Sequence, residues 1–90
     1  MMNDLTIENG IVIDCNTNAI NVVIPDGVTA IEVSAFESCY NLKTVTIPNS
    51  VTSMGDYVFY YCENIMIQCN RNSYTEEYAK KNNIPYKITD

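Results

Sequence analysis

The chain has 90 residues, 47% hydrophobic and 18% charged, which is the balance of one small folded domain rather than a disordered segment. A domain of this length buries only around two-thirds of its unfolded surface, leaving no room for a second core. The formal net charge of −6 argues against nucleic acid or an anionic membrane as partner, and the absence of histidine removes the commonest general base and metal ligand.

The opening, MMNDLTIENG, has neither a basic n-region nor an apolar h-region, and no later stretch is long enough to cross a bilayer. A complete chain of this kind is expected in the cytoplasm, and membrane insertion is not expected. Residues 4–15, DLTIENGIVIDC, read as two short strands around Glu8-Asn9-Gly10, a hairpin that would close the N-terminal end.

A repeated block follows. Val22 to Thr44, VVIPDGVTAIEVSAFESCYNLKT, is matched by VTIPNSVTSMGDYVFYYCENIM from Val45 to Met66, one residue shorter. Pro25/Pro48, Val28/Val51, Phe36/Phe59, Cys39/Cys62 and Asn41/Asn64 all keep an offset of 23. A fixed period of that size marks a solenoid, in which each unit buries its apolar side only by stacking on the next.

Within each unit the apolar period changes. Val45 and Ile47 alternate as in a strand, and Pro48, lacking an N–H, ends it. Val51 and Met54 carry the chain around a corner. Met54, Val58, Phe59 and Cys62 then recur at i, i+4, i+5 and i+8, which predicts a short helix, as do Ile31, Ala35, Phe36 and Cys39 in the first unit. Successive strands are expected to pair in parallel with right-handed crossovers.

After the second unit, Ile65–Cys69 supplies another strand. Ser73 and Glu76 form a capping box, and a helix is predicted from Tyr74 to about Lys81, acidic at its start and basic at its end. Asn82-Asn83 before Ile84-Pro85 stops it, and Tyr86–Ile88 adds a last extended segment. Tyr74 and Tyr78, four apart, are placed to cover the open end of the core. The domain plan is therefore one unit, 1–90, with a cap at 1–21, repeats at 22–44 and 45–66, and a second cap at 67–90.

The four cysteines, Cys15, Cys39, Cys62 and Cys69, fall at apolar repeat positions or beside them, and read as reduced, structural thiols. Without histidine or tightly paired cysteines there is no zinc pattern, and no cofactor is expected.

The repeat resembles the BspA-like leucine-rich repeat family, whose unit looks like VTIPxSVTSIGxxAFxxCxNLxx. Here it reads VVIPDGVTAIEVSAFESCYNLKT and VTIPNSVTSMGDYVFYYCENIM, with ENGIVIDCNTNAINVVIPDGVT like a lead-in and RNSYTEEYAKKNNIPY like an ending. The resemblance implies an α/β repeat: a short right-handed leucine-rich-repeat solenoid of parallel strands with short helices, capped by the hairpin and the terminal helix. It also implies a binding module without catalytic residues, used in family members for adhesion at bacterial surfaces. A fragment of a longer member would then sit at the cell surface. The sequence departs from the pattern at Glu32-Val33, at Tyr61 where a small residue is usual, and in the brevity of the array.

Two surfaces are candidates for binding. The strand face should present Asn21, Val23, Thr44, Thr46 and Gln68, with Met66 at its edge, a patch on the order of 200 Å² at ordinary strand spacing. A stable interface takes about 800 Å² per partner, so this face alone cannot hold a protein tightly. The second candidate is tyrosine: Tyr57, Tyr60 and Tyr61 crowd the second unit where the first has Ser34, Glu37 and Ser38. Packing of these rings against the terminal helix is the favoured expectation. The functional alternative is an aromatic contact patch, joined by Tyr40 on a loop between units. The expected function is non-catalytic binding of a protein, weak or multivalent, with pairing of copies through solenoid edges open to it. Glycan or small-ligand binding at the tyrosines is the alternative.

Overall fold

The computed structural model of the chain describes residues 4–90; residues 1–3, part of the expected N-terminal cap, lie outside the described residues. Leu5–Glu8 (β1) and Ile11–Cys15 (β2) pair antiparallel, as the sequence predicts. Asn9 and Gly10 between them both take left-handed backbone, φ 53° and 76°, the requirement of a two-residue hairpin turn.

The predicted strands then form a parallel sheet: Asn21–Val23 (β3), Thr44–Thr46 (β5), Met66–Cys69 (β7) and Tyr86–Ile88 (β8), in the order β3-β5-β7-β8. Val22, Val45 and Ile67 stand side by side facing inward and are buried. Asn21, Thr44 and Met66 form one outward row, and Val23, Thr46, Gln68 and Lys87 another. The single deletion in the second unit is absorbed before β7 begins, so Thr44, Val45 and Thr46 pair with Met66, Ile67 and Gln68 and the alternation stays in phase.

A second sheet was not expected. The segments read as corners contain two-residue strands, Ala30–Ile31 (β4) and Ser53–Met54 (β6), which extend the hairpin in the order β1-β2-β4-β6. Two residues cannot display a period, so only pairing with the neighbouring unit reveals them.

The predicted repeat helices do not form. Between β4 and β5, and again between β6 and β7, the chain runs through successive turns. The amides of Ala35, Glu37 and Cys39 donate to carbonyls three residues back. Those of Ser34, Phe36 and Ser38 donate instead to Asp56, Val58 and Tyr60 of the next unit, at 3.3, 3.0 and 2.9 Å. Alternate donors thus go to stacking, and an α-helix, which takes each amide for its own i−4 carbonyl, cannot coexist with that pattern. Ser34 and Ser38 in the first unit, and Tyr57 and Tyr61 in the second, have φ between 59° and 68°, again at an offset of 23. The residues of the supposed stripe are still inward: Ala35, Phe36, Cys39, Val58, Phe59 and Cys62 are all buried, and the Phe36 and Phe59 rings stack at 5.2 Å. Their burial was legible; the backbone carrying them was not.

One α-helix is present among the described residues, Tyr74–Lys81 (α1), within the predicted bounds. The Glu76 amide donates to Ser73 Oγ at 3.1 Å, while the Glu76 carboxylate accepts from Asn72 N–H at 2.7 Å rather than from Ser73 itself. That bond holds the Glu76 carboxyl below its ordinary pKa. Tyr74 and Tyr78 meet the chain at and just after β6. Met54 N–H donates to the Tyr74 hydroxyl, and the Tyr78 hydroxyl donates to the Gly55 carbonyl, both at 3.1 Å. Two side chains thereby occupy a strand edge that would otherwise invite pairing.

Candidate functional site

The four tyrosines singled out from the sequence come together on one surface. Tyr40 and Tyr61 have ring centroids 6.5 Å apart, Tyr61 and Tyr60 4.1 Å, and Tyr60 and Tyr57 5.5 Å, giving a continuous chain of rings. They do not pack beneath the terminal helix. Tyr40 is 63% exposed, Tyr57 65%, Tyr60 46% and Tyr61 48%, while Tyr74 and Tyr78 form a separate pair. The expectation that these rings fill the cap is corrected. The terminal helix instead meets the second unit through the Tyr74 and Tyr78 hydroxyls, which bond Met54 and Gly55, and the rings of the turn segment lie outside that contact.

At half exposure the four rings offer roughly 400–500 Å² of aromatic surface, about the largest patch an ordinary monomer displays. Hydrogen bonding with Tyr60 pushes the Tyr61 phenol above its ordinary pKa, aided by the nearby Tyr40 and Glu37.

The backbone beneath this patch is unusual for its residues. Tyr57 has φ 59° and Tyr61 φ 68°, in the left-handed region where a bulky side chain costs on the order of 1–2 kcal/mol. The equivalents Ser34 and Ser38 have the same conformation, so the repeat dictates the backbone and the second unit places its largest side chains on it.

Glu37 and Ser34 reach the same surface from the first unit. With Tyr57 and Tyr60 they line a hollow of about 230 Å³. The offset of 23 already stacks 34 on 57 and 37 on 60, so this grouping was recoverable from the repeat register alone.

The strand-face candidates are arranged differently. Val23 is 71% exposed. Thr44 Oγ1 donates to Asn21 Oδ1 at 2.7 Å and Thr46 Oγ1 to Gln68 Oε1 at 3.0 Å, so the polar groups of this face satisfy one another across the strands. Among the described residues, no ring contact joins this face to the tyrosines.

Among the described residues no group of His, Cys, Asp or Glu is arranged to hold a metal ion. All four cysteines are buried and unpaired, and burial pushes the Cys15 thiol up to about 12 and the Cys62 thiol up to about 11, leaving both poor nucleophiles. Among those residues, no helix is long and apolar enough to cross a membrane.

The family model of the BspA-type leucine-rich repeat region (six copies) matches residues 6–87. The chain belongs to that family. BspA-type leucine-rich repeats generally serve as protein-binding or adhesion modules and are generally non-catalytic. No curated protein and no solved structure matches the chain. The parallel strands in repeat register are those of a repeat fold, and the short α-helices expected between them are replaced here by turns.

Proposed function

We propose that this BspA-type chain is a non-catalytic protein-binding module whose contact surface is the ring chain Tyr40–Tyr61–Tyr60–Tyr57. The carrying observation is that Tyr57 and Tyr61 accept left-handed backbone while remaining about half exposed or more. A residue that costs conformational energy and buries little of itself contributes poorly to its own fold. Its benefit is expected where a partner covers it, and tyrosine gives large contact area at low entropic cost. The patch is smaller than the roughly 800 Å² of a stable interface, so single contacts are weak, and affinity comes from several copies acting together, as in adhesion. Val23, Thr44, Thr46 and Gln68 are secondary contacts on the strand face.

The architecture in this reading is a right-handed solenoid with repeats at 22–44 and 45–66, capped by 1–21 and 67–90. Pairing of copies has an observation in its favour. The amides of Tyr57, Phe59 and Tyr61, equivalent to the Ser34, Phe36 and Ser38 donors, have no hydrogen-bond partner among the described residues. Sedimentation across a hundredfold concentration range is expected to show a concentration-dependent rise in mass; a constant monomer would remove this part of the reading.

The double variant Tyr57→Ser, Tyr61→Ser, which gives the second unit the first unit's residues, tests the patch. It is expected to stay folded and to lose the proteins that wild type enriches from source-cell extracts in a side-by-side capture. Capture unchanged by the variant would sink the assignment. Sugar-array signals lost in the same variant would move the surface to glycan binding.

A further inference from the structure

The hollow between the two repeats has the chemistry of a cation receptor. Tyr57 and Tyr60 meet at 5.5 Å with their planes at 67°, forming two walls of a corner. The exposed carboxylate of Glu37 and the hydroxyl of Ser34 line the rest of the hollow, about 230 Å³ in all. Glu37 forms no ion pair among the described residues, where the one such pair joins Lys80 to Glu76. Its charge is also felt at Tyr61, whose phenol it helps to push upward. Aromatic faces with a carboxylate beside them attract ammonium and guanidinium groups, because ring quadrupole and charge act in the same direction. The volume lies below the roughly 300–1,000 Å³ of small-molecule sites, which suits the end of one side chain. The hollow beside Tyr40 differs: it is lined by Ile20, Asn41, Leu42, Lys43 and Asn64, carries a lysine and has no carboxylate.

We infer that the Tyr57–Tyr60–Glu37 corner receives a lysine or arginine side chain of the partner protein. The inference rests on the protein-binding reading above and adds the charge of the residue recognised. The overall charge of −6 draws such a partner toward the molecule, and the corner gives its basic group a defined seat.

Tyrosine ring resonances, followed by NMR during titration with an oligolysine peptide, test it on the intact chain. Saturable shifts are expected at Tyr57 and Tyr60 ahead of Tyr40 and Tyr86, and none with the same peptide after its lysines are acetylated. Glu37→Gln should weaken the response about two- to fivefold, the size of exposed cation–π and carboxylate contributions. Glu8→Gln removes the same charge from the exposed N-terminal hairpin and should leave it unchanged.

Three results would overturn the inference: equal losses from both glutamine variants, which reveal diffuse attraction to an acidic surface; equal shifts with the acetylated peptide; or stronger shifts with tetramethylammonium than with the peptide, which point to a free organic cation. Failure here is separable from failure of the protein-binding reading. If Tyr57→Ser, Tyr61→Ser abolishes capture and Glu37→Gln leaves it intact, the patch binds protein without this basic contact. If capture survives the tyrosine variant while lysine peptide still moves Tyr60 in wild type, the corner binds cations outside any captured partner.

Discussion

The two repeats follow one backbone path and use it for different ends. Left-handed residues fall at Ser34 and Ser38 in the first and at Tyr57 and Tyr61 in the second, and both units turn a phenylalanine and a cysteine into the core. The first unit is sandwiched. It receives the hairpin below, where Thr29 N–H donates to the Gly10 carbonyl at 2.8 Å, and donates its own amides to the second unit above. The second unit has a neighbour on one side and the terminal helix covering its β6 edge on the other. Its outer surface is where the tyrosines gather. Stacking therefore constrains a repeat's backbone and its inward residues, and leaves outward positions free to differ.

The largest expected effect lies in what the units share. Phe36→Ala and Phe59→Ala should each cost about 3–5 kcal/mol in urea unfolding, since each empties one side of a stacked pair. Phe36, fully buried, belongs at the upper end, and Phe59, 7% exposed, at the lower. Losses under about 1 kcal/mol would mean that the units do not share a core.

A smaller effect separates the units. A Cβ on Gly55 would lie 2.5 Å from Val33 N and 2.7 Å from Val33 Cα, where backbone cannot yield cheaply. Gly55→Ala should cost about 1–3 kcal/mol by overpacking. The equivalent Glu32 already carries a full, exposed side chain, so Glu32→Ala should change stability by less than about 0.5 kcal/mol. Equal costs at both sites would break the distinction between the inner and outer faces of the stack.

Tyr57→Ser, Tyr61→Ser should alter unfolding free energy by less than about 1 kcal/mol, because the rings are exposed and their backbone is already strained. A loss above 2 kcal/mol would return the tyrosines to a structural role and sharpen the comparison in the opposite sense.

A further effect is on pH dependence and involves the matched cysteines. Burial raises the thiols of both Cys39 and Cys62 from 9.0, Cys62 to about 11, and Cys15 is raised to about 12. A pKa raised on folding contributes stability that is complete below the unfolded value and disappears as pH climbs to the folded one. Stability should therefore hold up to about pH 9 and decline from there toward pH 11–12. Cys62→Ala should flatten this decline more visibly than Cys39→Ala. Cys62 Sγ donates to the Phe36 carbonyl at 3.0 Å, whereas the Cys39 contact with the Asn16 carbonyl is 4.0 Å. Melting curves from pH 7 to pH 11 measure both.

Local pattern made several elements readable in advance. The hairpin follows from Asn9-Gly10, which tolerate left-handed backbone at little cost, and the terminal helix follows from Ser73, Glu76 and the charge order along Tyr74–Lys81. Alternation at Val45 and Ile47, carried by the 23-residue offset, was enough to assign inward and outward residues of the main sheet. Other features depended on a neighbour. Ala30–Ile31 and Ser53–Met54 are strands only because each lies against another unit. The spacing of Ala35, Phe36 and Cys39 suits a helix and a series of turns equally. Hydrogen bonds from Ser34, Phe36 and Ser38 to the second unit decide for turns.

The tyrosines divide in the same way. Their presence in the second repeat, opposite Ser34, Glu37 and Ser38 in the first, is a fact of the sequence, and so is the register that stacks one set on the other. Their exposure goes with the placement of the terminal helix, whose Tyr74 and Tyr78 hydroxyls bond Met54 and Gly55 and leave the other rings outside that contact. Periodicity records which residues share a face. Whether an outer face is covered depends on where a distant segment finds its hydrogen bonds, and that is a property of the folded molecule alone.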